Sequence, residues 1–152
     1  MTFFNRPPHG ASWCGICGTV LDLPASPKPW PWRLKSQEDL LAYLGGLSDE
    51  PEEWLLCFYV STDLRLIAVE PPFRGTADHV LVDCAQLICR AKQLESNGFI
   101  LVHNHPSGTP RPSVEDIAVS EKLRRISTEL DVPLLDHFIL TGNKLVRISE
   151  WL

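Results

Sequence analysis

The sequence predicts an α/β fold in which a mixed β-sheet is flanked by helices. From Trp54 onward, short apolar runs rich in aromatic and β-branched residues alternate with two longer segments of helical periodicity. Their order, ββαβαββ, implies a mixed sheet with helices packed against it. The 152 residues are 44% hydrophobic and 22% charged, which is ordinary for one globular domain.

Residues 1–49 are predicted to form a proline- and tryptophan-rich N-terminal arm with one short helix. Six of the 13 prolines lie within residues 1–31, interleaved with Trp13, Trp30 and Trp32. That stretch has no helical or strand periodicity. A helix is predicted over Ser36 to Leu47, because Ser36 can cap it and leucines recur at helical spacing. The acidic run 49–53 is predicted to be a solvated turn, and the compact domain, residues 50–152, is expected to begin there.

A hairpin and a helix are predicted next. Trp54 to Val60 is expected to be a buried strand, and Leu64 to Glu70 its returning partner, stopped by the two prolines that follow. A helix is predicted from its cap Asp83 to about Asn97, with Gly98 ending it.

The C-terminal third is predicted as strand, helix and a final hairpin. Phe99 to His103 is a short buried strand, and a proline-rich loop leads from it to a helix opened by Ser113. The inner face of that helix is predicted to carry Val119, Leu123, Ile126 and Leu130. Leu134 to Leu140 and Lys144 to Ile148 are the last two strands.

Charge and cysteine content exclude several classes of protein. Asp and Glu number 19 against 14 Lys and Arg, and this acidic balance argues against direct nucleic-acid binding. No apolar stretch is long enough to span a bilayer, and no secretory signal is visible, so a cytoplasmic protein is expected.

The five cysteines do not form a disulfide pattern. Cys57, Cys84 and Cys89 are predicted to be small core residues. Cys14 and Cys17 resemble half of a zinc knuckle, but the sequence has no second CxxC or HxxxH to complete four ligands, so a stray pair in the N-terminal arm is favoured.

The segment from His103 to Asp116 carries the chemistry. His103 and His105, two residues apart at the end of a strand, project to the same side. Asp116 lies in the first turn of the next helix, which the stiff loop can return toward the strand end. Two imidazoles and a carboxylate form a three-ligand site that suits zinc, with an open fourth position where water is activated.

A purely structural interpretation of Ser113 and Asp116 is also open. The pair fits a helix capping box, which explains both residues but leaves the two histidines unexplained. If Asp116 is a ligand, we expect Ser113 or a backbone group to cap the helix alone. The pair Asp136-His137 is expected to anchor structure or to support a ligand from behind rather than to bind a metal.

The segment resembles the JAMM metalloprotease motif, H-x-H-x7-S-x2-D with an upstream Glu. The surrounding His-Asn-His-Pro-Ser-Gly and the later Leu-Asp-His are similar to the RadC-type branch of the JAB/MPN superfamily, over residues 50–152. The resemblance implies a JAB/MPN fold, related in layout to cytidine deaminases, with one zinc ion per chain. It implies that the ligands are His103, His105 and Asp116, that the upstream Glu is Glu70, and that Ser113 holds the oxyanion.

The resemblance implies a zinc-dependent hydrolase that cleaves a peptide or isopeptide bond in a protein or peptide substrate. Glu70 would then take the proton of the attacking water and pass it to the leaving amine. Two alternatives remain: a non-catalytic JAB/MPN module that binds a partner, and a DNA-repair-associated RadC-like protein. A base deaminase would need H-x-E and P-C-x-x-C, whereas His103 is followed by Asn104 and His105.

Overall fold

A computed structural model describes residues 11–13, 20–22, 33–44, 46–74 and 82–152 of the chain. The elements in these ranges are β1 (Ala11–Trp13), β2 (Val20–Asp22), α1 (Gln37–Leu44), β3 (Trp54–Val60), β4 (Leu66–Arg74), α2 (Cys84–Gln93), β5 (Gly98–Asn104), α3 (Val114–Glu129), β6 (Leu134–Thr141) and β7 (Lys144–Arg147). Short 3-10 helices at Leu47–Asp49 and Ile148–Trp151 accompany them.

The main sheet has five strands in the order β4-β3-β5-β6-β7. β5 and β6 run parallel, and the other neighbours are antiparallel. A parallel pair needs a crossover connection, and α3 with its flanking loops supplies it. The predicted mixed α/β sheet is therefore confirmed.

Each face of the sheet is covered by its own layer of helices. Residues of α1 pack on one face, against Leu56, Phe58 and Val102. Residues of α2 and α3 pack on the other, against Leu55, Cys57 and Leu101. Because side chains alternate along a strand, β5 directs His103 toward the α2/α3 layer and Asn104 toward the α1 layer.

The core extends further toward the N-terminus than the predicted division at residue 50. Leu34, Tyr43 and Leu47 are buried in the same cluster as Phe58, and the Tyr43 ring meets the Phe58 ring edge-on at 5.3 Å between centroids. Closer to the N-terminus, β1 and β2 pair antiparallel. The sequence predicts no strands there, because three-residue strands are too short for a period of two to show. Cys14 and Cys17 lie outside the described residues.

The element boundaries depart from prediction where local signals mislead. β4 does not stop at Pro71 but continues to Arg74, which an edge strand tolerates because its outer N–H groups need no partner. α2 ends at Gln93, and Glu95 takes a positive φ of 52° in the turn that follows. Gly98 begins β5 instead of ending the helix. A Cβ at Gly98 would lie 3.0 Å from the Pro133 carbonyl oxygen.

Two buried positions were predicted wrongly. Cys57 and Cys84 are buried as expected, but Cys89 is exposed, because it lies off the stripe of α2 that faces the sheet. Leu130 is 44% exposed, since α3 has ended before it. No helix in the described ranges is both long and apolar enough to cross a membrane.

Candidate metal centre

Two histidine rings meet at the end of β5, in the middle of the sheet. The parallel pairing with β6 continues one residue beyond β5, because the His105 N–H donates to the Leu140 carbonyl at 3.2 Å. This keeps the strand extended, so His103 and His105 project to the same side. Their Nε2 atoms are 2.9 Å apart, and both residues are buried.

The first turn of α3 brings Asp116 to these rings. Asp116 Oδ1 is 3.3 Å from His103 Nε2, and Oδ2 is 3.4 Å from His105 Nε2. The structure therefore brings together all three residues predicted to bind the metal.

Asp116 also takes part in the capping box at the start of α3. Its N–H donates to Ser113 Oγ at 3.0 Å, and its Oδ2 accepts from the Ser113 N–H at 2.8 Å. Ser113 therefore does not cap the helix alone, as it was expected to do if Asp116 is a ligand. A carboxylate has two oxygens and about four lone-pair sites, so it can serve the cap and the histidines together.

Glu53 completes the cluster, although the sequence did not predict it as a site residue. Its Oε1 is 3.6 Å from His105 Nε2, and the side chain is buried. One ligand atom each from Glu53, His103 and His105 lie within 4.8 Å of one another. Leu55 pairs with His103, and continuing that antiparallel register places Glu53 opposite His105. The prediction of a solvated turn therefore fails for Glu53.

Asn104 holds the backbone on both sides of Glu53. It projects to the opposite face from the two histidines and is fully buried. Its Oδ1 accepts from the Trp54 N–H at 2.7 Å, and its Nδ2 donates to the Glu52 carbonyl at 3.0 Å. The middle residue of the His-x-His motif thus fixes the position of the glutamate that the motif faces.

Replacing Asn104 with alanine should lower the free energy of unfolding and weaken metal binding. The change removes the Asn104 hydrogen bonds to a buried Trp54 N–H and a partly buried Glu52 carbonyl, at roughly 1–3 kcal/mol each. Asn97 is the matched control, because its Oδ1 also accepts a backbone N–H, from Thr62, but at an exposed site. We expect Asn97→Ala to cost much less in urea denaturation. Equal costs for the two variants would contradict the assigned role.

The structure does not bring Glu70 to this cluster. Its Oε1 accepts from Arg90 Nε at 2.7 Å, in a partly buried ion pair. Glu70 pairs with Cys57, and Cys57 pairs with Leu101, two residues before His103. Two strand spacings, about 10 Å, therefore separate the backbone of Glu70 from β5. Glu70 thus lies outside the cluster, and its catalytic role stays a prediction from the resemblance.

The chemistry of the donor set fits a metal cation. His105 Nδ1 is 2.8 Å from the Thr109 carbonyl oxygen, which can only accept, so Nδ1 carries the hydrogen. In the neutral ring, Nε2 then directs a lone pair toward the Asp116 and Glu53 carboxylates, which are themselves acceptors. Such a group of acceptors requires a proton or a metal ion between them, and nitrogen and oxygen ligands of this kind suit zinc.

The pKa values of His105 and Asp116 shift in the directions that favour an ion pair between them, whereas burial lowers the pKa of His103. Burial acts to lower the pKa of His105, but Asp116, the Thr109 carbonyl and Glu53 together raise it above its ordinary value. Burial acts to raise the pKa of Asp116, but hydrogen bonds with His103, His105 and Ser113 hold it below its usual range. The cluster therefore favours a carboxylate beside a cation.

The Asp136-His137 pair separates into two roles. His137 is buried behind His103, with its Nε2 2.8 Å from His103 Nδ1. Asp136 accepts from the His137 backbone N–H, and its Oδ2 lies 3.5 Å from Arg147 Nε. Of these two residues, only His137 contacts a residue of the candidate metal centre.

Comparison with known proteins gives matches that span the residues of this cluster. A family model described as a RadC-like JAB domain matches residues 34–150, which include the whole cluster. A UPF0758 protein from Rhodobacter capsulatus is 38% identical over 121 residues, or 78% of this chain and 56% of that protein. Another, from Thioalkalivibrio sulfidiphilus, is 36% identical over 118 residues, or 77% and 52%. The chain spans about half the length of the curated relatives it matches.

Proposed function

Because the chain belongs to the RadC-like JAB domain family, we propose that it is a zinc-dependent hydrolase of JAMM type that cleaves a peptide or isopeptide bond in a protein or peptide. One observation carries the proposal. The Nε2 atoms of two buried histidines lie 3.3 and 3.4 Å from the Asp116 carboxylate, and a buried second carboxylate, Glu53, lies beside them.

His103, His105 and Asp116 would hold one zinc ion, with two nitrogens and a carboxylate oxygen as ligands. This leaves an open position, which distinguishes a catalytic site from a closed structural one. When bound, zinc would lower the pKa of water to about 7 and polarise the substrate carbonyl. The remaining chemistry falls to side chains of the chain.

Glu53, rather than Glu70, supplies the proton-transfer step of this proposal. Its carboxylate is buried, it directly precedes β3, and its Oε1 lies 3.6 Å from His105 Nε2. From there it would accept a proton from the attacking water and then deliver it to the nitrogen of the leaving amine. Glu70 is held by Arg90 instead.

Ser113 would stabilise the negative charge that develops on the carbonyl oxygen. Its Oγ accepts the Asp116 N–H, so its own hydroxyl hydrogen stays available to donate to an oxyanion. It is half-buried at the start of α3, where the helix dipole also favours negative charge.

Ser113→Ala should reduce kcat about 10²–10³-fold and leave zinc content unchanged. It should also cost about 1 kcal/mol of stability, because the cap is lost. Ser113→Thr keeps both the cap and the hydroxyl, and we expect it to restore most of the activity. If the alanine variant loses only stability, or if threonine rescues stability alone, Ser113 is a cap and not an oxyanion donor.

The proposal as a whole is tested by metal removal and return. We expect the purified chain to retain about one zinc ion after dialysis and to cleave peptides in a proteome-derived library. A chelator should abolish the cleavage, and zinc should restore it. Zinc binding without any cleavage would instead support a non-catalytic module, and salt-sensitive binding to duplex DNA without cleavage would support a DNA-associated role.

A further inference from the structure

We propose that Ser120 and His137 act as a positioning pair that fixes the tautomer of His103, so that its Nε2 lone pair faces the metal. This inference rests on the proposed metal centre. It is carried by a buried chain of hydrogen bonds from the backbone carbonyl of Asp116 through Ser120 and His137 to His103.

Ser120 determines the direction of donation along these hydrogen bonds. Its Oγ is 2.6 Å from the Asp116 carbonyl oxygen and 2.8 Å from His137 Nδ1. A carbonyl oxygen can only accept, so the single hydroxyl hydrogen is donated there. Oγ must then accept the second bond, and His137 Nδ1 must carry a hydrogen.

His137 passes this direction on to His103. The ring is buried in the core beside His103, where a neutral imidazole is favoured because burying a charge is costly. The neutral ring with a hydrogen on Nδ1 has a bare Nε2, which accepts from His103 Nδ1 at 2.8 Å. His103 Nε2 is therefore left without a hydrogen and faces Asp116 and His105.

If these hydrogen bonds were donated in the opposite direction, His103 could not bind a metal through Nε2. If His137 Nε2 donated to His103 Nδ1, the hydrogen of a neutral His103 would lie on Nε2, and that atom could not bind a metal. These hydrogen bonds also connect two proposed ligands on different elements, because they begin at the Asp116 backbone on α3 and end at the His103 ring on β5. Partners of this kind orient metal-binding histidines, and their loss typically costs 10–100-fold in affinity.

Zinc affinity of the full chain, measured by competition with a chromogenic chelator, is the first test. Ser120→Ala should raise the zinc Kd about 10–100-fold. Ser127→Ala is the matched control, because Ser127 is also a buried serine of α3, and its Oγ accepts the Leu134 N–H at 2.9 Å away from the cluster. We expect Ser127→Ala to lower stability without changing the zinc Kd. His137→Gln, whose amide oxygen can accept from His103 Nδ1, should retain more affinity than His137→Ala.

The second test needs no metal and separates this inference from the proposed function. In the ¹⁵N spectrum of the metal-free chain at mildly alkaline pH, we expect His137 and His103 each to carry their hydrogen on Nδ1. In Ser120→Ala, His103 should no longer show a single tautomer. A hydrogen on His103 Nε2 in the wild type, or an unchanged zinc Kd in Ser120→Ala, would overturn the inference. A wild type in which His103 and His137 each carry their hydrogen on Nδ1, but which binds no zinc, would overturn the proposed function alone.

Discussion

Glu53→Gln should lower kcat by about 10²–10⁴-fold while the chain still holds one zinc ion. The amide is nearly isosteric with the carboxylate but cannot take a proton from the attacking water. Because His103, His105 and Asp116 are untouched, metal content should not change. The measurement is turnover of a cleaved peptide by zinc-loaded protein, with zinc quantified in the same sample.

Glu70→Gln is the matched control for that substitution. It makes the same chemical change at a glutamate on the same face of the sheet, but Glu70 pairs with Arg90 and lies outside the cluster. We expect turnover close to that of the wild type, with some loss of stability because Arg90, which is partly buried, loses the charge of its partner. If Glu70→Gln were inactive and Glu53→Gln active, the assignment of the two glutamates would have to be exchanged.

His103→Ala should abolish zinc binding and, with it, all activity. The imidazole would supply one of the three ligand atoms. Because His103 is almost fully buried, its ring also covers the inner side of the centre. Zinc at 100 times its Kd should stabilise the wild type by about 2.7 kcal/mol. For a chain of this size this corresponds to a rise of about 5–10 °C in Tm.

The corresponding calorimetry compares Tm with and without zinc for both proteins. We expect the variant to show no zinc-dependent rise, whatever its Tm in the absence of metal. Comparing each protein with itself removes the direct cost of the truncation, which leaves a cavity in the core. An equal rise in His103→Ala would show that zinc binds elsewhere on the chain.

The proximity of His103, His105 and Asp116 could be predicted from sequence because their arrangement is local. His103 and His105 share a side of one strand, and Asp116 lies in the first turn of the next helix, at a distance that a short stiff loop sets. Glu53 could not be found in this way, because its position depends on the pairing of β3 with β5. In the sequence it ends an acidic run, and Glu70, at the end of an apolar run, resembles a site residue more closely.

The same division holds for the rest of the fold. The order of strands and helices after residue 53 follows from local periodicity and is predicted correctly. The burial of Tyr43 and Leu47 against the sheet and the contact of His137 with His103 depend on packing between elements distant in sequence. Asn104 is an example at single-residue scale, since its role rests on contacts with residues about 50 positions away.

The central claim is that these residues form a zinc centre that hydrolyses peptide bonds. The most direct test is to count the new N-termini that zinc-loaded wild type and zinc-loaded Glu53→Gln release from the same proteome-derived substrate pool. The account predicts a reproducible set of cleavage sites with the wild type that is lost with the variant at equal zinc content. Identical sets from the two proteins, or no cleavage by a wild type that holds one zinc ion, would contradict it.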